Sequence, residues 1–247
     1  MTNDAIESPA IHAKSARFVG WVTRNWVWGV CLLLGVYVGL PWLAPIFMKL
    51  GWVSSANLIY ALYSTQCHQL PERSFFLFGP KAMVSLSDIQ TVWQNTDNPL
   101  ILRKFIGNPE MGWKVAWSDR MVYMYTSIII FAVLLFAPRK KTLQPLPWWG
   151  FFLLLFPMAV DGSTHFISDL NGIGSGFRDS NAWLAILTNH RLPTTFYAGD
   201  AFGSFNSWMR LITGLLFGLG VVWFLFPYIQ ASFVQSPPHG KSDFQVQ

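Results

Sequence analysis

Charge is scarce in this sequence. Only 12% of its 247 residues are Asp, Glu, Lys or Arg, about half the share usual in a soluble domain. Cysteine is scarcer still, with two residues, Cys31 and Cys67. One lies in an apolar run and the other in a polar knot, so they are separated in depth. Two free thiols are expected, and a disulfide framework is excluded. Cys-x-x-Cys and His-Glu-x-x-His patterns are absent, so no ready-made metal signature is present. No basic stripe accompanies the net charge of +5, which excludes nucleic acid as a partner. No internal repeat appears, which argues against transport by a single copy. The run NGIGSG at 171–176 lacks the preceding strand and the following Lys-Ser of a phosphate loop, and reads as a flexible link.

Apolar and aromatic residues are plentiful. The chain is 52% hydrophobic, with 21 Phe and 13 Trp. Four stretches reach the roughly 20 residues that a hydrocarbon core requires: 26–47, 120–137, 147 to beyond 160, and 206–227. Trp or Tyr flanks each one, as at a membrane interface. Pro41 and Pro45 are expected to kink the far end of the first stretch. That stretch is too long for a signal-peptide core and no small-x-small cleavage site follows, so it reads as a retained helix. The third stretch is interrupted by Asp161. The fold class is therefore all-α: a polytopic membrane protein of about four transmembrane helices, with short interfacial or outer-face helices. The lipid bilayer is its first partner.

Basic residues set the orientation. Lys14, Arg17 and Arg24 precede the first helix, Arg139, Lys140 and Lys141 link the second to the third, and Lys241 follows the fourth. An even number of crossings places all three groups on one side. The positive-inside rule makes that side cytoplasmic, with both termini. The chain then divides into a cytoplasmic segment 1–25, one transmembrane domain 26–230, and a cytoplasmic tail 231–247 expected to be disordered. Two long loops, about 48–119 and 162–205, face outward. Short helices are expected at SSANLIYALYS, SLSDIQTVWQ and NPLILRKFIG, the last ended by Gly107, and at SNAWLAILTNH.

Ionisable side chains at membrane depth are costly and need a partner or a task. Asp119 and Arg120 open the second helix, Asp161 lies toward the outer end of the third, and Arg210 stands one turn into the fourth. These groups reach a similar depth, on the side that also carries Cys67 and His68. They are expected to converge into one polar pocket. A structural reading makes Asp161 with Arg120 or Arg210 a buried ion pair that fixes helix packing. A binding reading lets Arg73, Arg120, Arg178 and Arg210 clamp an anionic head group. Asp161 and His165, spaced i and i+4, share a helical face. With Cys67 and His68 they form a candidate ligand set for zinc or iron. Cys67 beside His68 and near Arg73 is also a candidate catalytic thiolate, if a base comes within reach.

Three stretches carry a family resemblance. CHQLPERSFFLFG resembles the Cys-His-Gln-x-Pro-x-Arg-Ser signature of bacterial membrane proteins of domain-of-unknown-function family 2085. FPMAVDGSTHF is similar to that family's Pro-x-x-x-Asp-Gly-x-Thr-Gln segment. NSWMRLITGLLFGLG is similar to its Asn-x-Trp-x-Arg-x-x-Thr-Gly segment. The resemblance runs from about residue 26 to 226 and implies a bacterial cytoplasmic (inner) membrane protein without an established activity. It marks Cys67, His68, Gln69, Pro71, Arg73, Ser74, Asp161, Gly162, Arg210 and Gly214. A Cys-x-Arg-Cys pair of many members is missing at AWSDRMVYMYTS, and His165 replaces the usual glutamine. The insertion at about 80–114 reads as a docking surface. Two functions follow. One is a non-catalytic accessory or scaffold subunit of a membrane assembly, with a polar pocket at the outer leaflet. The other is a membrane-embedded metal- or thiol-dependent enzyme acting on a lipid or isoprenoid-like substrate.

Overall fold

The computed structural model describes the backbone of residues 9–140 and 142–235, and the side chains of 17–140 and 142–233. The side chains of Lys14, Lys141 and Lys241, and the chain beyond 235, lie outside the described residues. Among the described residues, four helices are long and apolar enough to cross a membrane: Arg17–Lys49, Asp119–Arg139, Trp148–Asp169 and Phe205–Phe233. The fold is an all-α polytopic one. Helix α1 (Pro9–Lys49) starts well before residue 26 and runs through Pro41 and Pro45. Helix α5 (Asp119–Phe131) continues through a π-helical turn, Ala132–Phe136, into α6 (Ala137–Arg139). The wide turn lies just ahead of Pro138, whose missing N–H and bulky ring disturb the ordinary ladder.

Loops fold back onto one end of the bundle. Helix α2 (Val53–Tyr63) lies after α1, followed by a 3-10 turn (Pro71–Arg73) and strand β1 (Ser74–Leu77). Helix α3 (Leu86–Val92) is closed by a capping box, Ser85 with Asp88, which satisfies two free N–H groups at its start. Helix α4 (Pro99–Leu102) begins on an Asn98 cap. Strands β2 (Gly107–Asn108) and β3 (Gly112–Ser118) complete a three-stranded antiparallel sheet of order β1-β3-β2. This sheet is an addition to the helices read from sequence. Gly107 does not cap a helix: at φ 108 it starts β2, where a Cβ would stand 2.1 Å from the Gly112 carbonyl oxygen. Helices α7 (Trp148–Asp169), α8 (Phe177–Ser180), α9 (Ala182–Leu187), α10 (Thr194–Tyr197) and α11 (Phe205–Gln235) follow.

Apolar burial divides by level. Trp26, Phe136, Val222 and Phe226 pack at the end away from the sheet. Tyr60, Trp117, Val115 and Val122 pack where α1, α2, β3 and α5 meet. Leu70, Phe76, Ile89, Leu102 and Ile173 form a third core in the loops. Outward residues such as Leu33, Leu134, Phe152 and Phe156 are exposed, as suits a lipid-facing belt. Helix α7 buries only Gly150, Asp161, His165 and Ser168. Three of these are polar and lie at the sheet end, so α7 docks there through polar chemistry.

Candidate functional site

The stretch 64–76 is built as a clasp. Gln69 takes a left-handed backbone, φ 52, and its side chain is buried. Its Nε2 donates to the Tyr60 and Ala116 carbonyls, both at 2.9 Å. Ser74 Oγ donates to the Leu70 carbonyl at 2.8 Å. From β3, the fully buried Lys114 donates through Nζ to the Gln69 and Arg103 carbonyls, at 2.8 and 2.7 Å. Burial pushes the Lys114 amine down to about 7, since a desolvated ammonium is disfavoured.

Cys67 and His68 turn to different partners. Cys67 Sγ donates to Ser118 Oγ at 3.4 Å and accepts from the Gln69 N–H at 3.4 Å. His68 Nδ1 accepts from the Leu70 N–H at 3.3 Å. Protein packed around His68 and the Arg73 guanidinium hold its imidazole down to about 4, although one face of the residue stays open. Desolvation by the packed protein comes first and the neighbouring guanidinium charges second, and both favour the neutral ring. Among the described residues, no three of His, Cys, Asp and Glu come together in a metal-holding group. Of the candidate ligands Cys67, His68, Asp161 and His165, the last two are neighbours, with Nδ1 and Oδ1 3.5 Å apart.

The arginines and aspartates form a connected network. Arg73 grips Asp169 with both Nη atoms at 2.7 Å and Asp200 with Nε at 2.7 Å. Arg210 reaches Asp119 through Nε at 2.7 Å and Asp200 through Nη1 at 2.6 Å. Arg178 reaches Asp161 at 2.6 Å, Thr164 and Asn206, and Arg120 lies 2.9 Å from the other Asp161 oxygen. Asp161 therefore pairs with Arg120 and Arg178. Arg210 pairs elsewhere, with Asp119 and Asp200. His165 stands between the two halves, 3.5 Å from both Asp161 and Asp200. Four guanidinium groups thus meet four carboxylates, and most are nearly inaccessible. Such charges are tolerated only when paired and hydrogen-bonded. Burial pushes the Asp200 carboxyl up, but Arg73 and Arg210 outweigh it and hold the group well below the usual carboxylate range.

A cleft of about 240 Å3 opens onto this network, lined by His68, Arg73, Arg120, His165, Asp169 and Arg210, among others. It brings together His68 and three of the arginines read from sequence. Cys67 is not among its lining residues. Asp169 and Asp200 escaped the sequence reading. Asp169 had a signal, because Asp161, His165 and Asp169 recur every four residues on one face. Asp200, in an irregular loop before α11, had none.

The family model described as "Predicted membrane protein (DUF2085)" matches residues 110–224. That span contains Asp119, Arg120, Asp161, Asp200 and Arg210, and begins after the Cys67–Ser74 motif. The chain is 27% identical over 191 residues to an uncharacterized protein of the archaeon Methanocaldococcus jannaschii, covering 75% of this chain and 80% of the relative. No solved structure matches. The chain is similar over its second half to a predicted membrane protein family of unknown function.

Proposed function

We propose that this chain is a non-catalytic accessory or scaffold component of an assembly in a prokaryotic cytoplasmic membrane. Its sheet-bearing end faces outward and both termini face the cytoplasm. One observation carries the reading: apart from Glu72, whose carboxylate accepts no hydrogen bond from another described residue, the charged groups of the clasp and of the helix ends are taken up by one another. Arg73, Arg120, Arg178 and Arg210 each meet a carboxylate, and Cys67 and His68 are engaged by their own turn. Such a network fixes the relative position of helices without requiring turnover. The exposed aromatic face of α7, with Trp148, Trp149, Phe152 and Phe156, offers a surface for lipid or a neighbouring helix. Orientation rests on Arg17, Arg24, Arg139 and Lys140 at the opposite end, where Lys140 Nζ donates to the Arg24 carbonyl.

A second reading has its own support. The open face of His68 shares the 240 Å3 cleft with Arg73 and Arg120, an arrangement suited to the anionic head group of a lipid substrate. Native mass spectrometry after extraction in mild detergent separates the two. The scaffold reading expects the chain with a protein partner in fixed stoichiometry, retained in the Cys67→Ser/His68→Ala double variant. A chain that always flies alone, with lipid adducts lost in that variant, supports the enzyme instead.

A further inference from the structure

A second cavity borders the charge network and shares Asp200 with it. It holds about 520 Å3 between α3, the loop at 173–174 and the segment from 194 to 201. Glu72 lies in its wall. This side chain is 3% exposed, and neither carboxylate oxygen accepts a hydrogen bond from another described residue. An orphaned buried carboxyl is costly. Adjacent Arg73 and Glu72 diverge: Arg73 is consumed by Asp169 and Asp200, while Glu72 lines the cavity with its carboxylate unpartnered among the described residues.

The rest of the lining narrows the ligand. Asp179 adds a second carboxylate, Asp200 contributes a third that Arg73 and Arg210 already hold, and no described Lys, Arg or His lines the cavity. An anion therefore finds no cation to meet. A tightly held divalent ion is also poorly served, because the three carboxylates do not converge in a metal-holding group. Hydroxyl groups of Ser85, Thr194 and Thr195 and the Gln90 amide supply neutral partners around the rim. A compact cation with its own N–H donors fits this pattern: it would give Glu72 the hydrogen bonds it lacks and a counter-charge together.

We propose that the cavity beneath Glu72 binds a ligand bearing a protonated amine. The site goes beyond the scaffold reading, and neither depends on the other. Burial raises the Glu72 carboxyl to about 7, so a bound ammonium favours its ionised form. Binding then releases a proton near neutrality and strengthens as pH rises through 7. The charged groups that act on Glu72 are Arg73, Asp200 and Lys114. Lys114 itself titrates near 7, so the Glu72 variant is the needed control.

The test is calorimetric titration of ethanolamine into the full chain in nanodiscs of phosphatidylglycerol, at fixed ionic strength. Saturable binding is expected, with a proton release at pH 6.5 that shows as buffer-dependent heat. Glu72→Gln should weaken binding at least tenfold and abolish the proton release, while Glu110→Gln, away from the cavity, should change neither. If Glu72→Gln fails to fold, Asp179→Asn serves, with a several-fold loss expected. Adding phosphatidylethanolamine to the discs distinguishes sources: a fall in apparent ethanolamine affinity assigns the cavity to a lipid head group, and no change assigns it to a free amine. Equal binding by wild type and the cavity variants, or no saturable binding at tens of millimolar, overturns the proposal.

Discussion

Glu72, Arg73 and Lys114 show how single residues set the character of this end of the molecule. Arg73 is buried with three charge-assisted hydrogen bonds, whereas Glu72 beside it has none from other described residues. Its folded value of about 7 exceeds the ordinary 4.5. A carboxyl raised by folding favours the protonated native state. That stability is fully present below about 4.5, declines as pH rises to about 7, and stays lost above it. The shift corresponds to about 3 kcal/mol. Glu72→Gln removes this dependence, so the variant's advantage in thermal stability over wild type should grow from pH 5 to pH 7.5 and then level. A constant difference across that range would show that Glu72 does not titrate there. The sequence announced Cys67 and His68 as an unusual pair and Asp161 with its arginines as membrane-depth charges. It could not announce that Gln69 would turn left-handed, or that Asp200 would take two arginines, because both depend on contacts distant in the chain.

Helices and strands differ sharply in what they reveal beforehand. Four apolar runs of sufficient length marked the four spans, and the stretch SLSDIQTVWQ marked the short helix found as α3, though not its Ser85–Asp88 cap. The sheet stayed hidden for a physical reason. Strand β1 has four residues and β2 has two, and β3 is buried on nearly every residue rather than alternating, so no period of two appears. Packing of α5 on α11 rests on small residues. A Cβ at Gly218 would stand 2.0 Å from Ser127 Oγ, and one at Gly214 2.8 Å from the Tyr123 Cβ. Ser127 Oγ also donates to the Gly214 carbonyl at 2.9 Å. Close backbone approach of this kind is how membrane helices associate. Gly218→Ala should lower the yield of folded protein and its Tm by several degrees. Ser127→Gly in the same chain should restore part of the loss, because it removes the two nearest clashing atoms. No recovery would place the damage elsewhere.

The whole molecule is a bundle with two unlike ends. One end has Arg17, Arg24, Arg139 and Lys140 together with an aromatic core around Trp26; the other has the sheet, the clasp and the charge network. With Cys31 and Cys67 replaced, Asn95→Cys should react with a membrane-impermeant maleimide in intact cells, and Thr142→Cys only after lysis. The reverse pattern would invert the orientation. The clasp holds the helix ends through Arg73, and Cys67 and His68 are secondary to the fold. The most direct measurement is thermal unfolding of Arg73→Gln beside the Cys67→Ser/His68→Ala double variant, both in the same detergent. Breaking a buried ion pair from one side costs about 3–5 kcal/mol, or roughly 10 °C in a domain of this size. Arg73→Gln should show that fall, and the double variant a change within about 1 kcal/mol. A double variant that collapses while Arg73→Gln keeps the wild-type Tm would contradict this ordering.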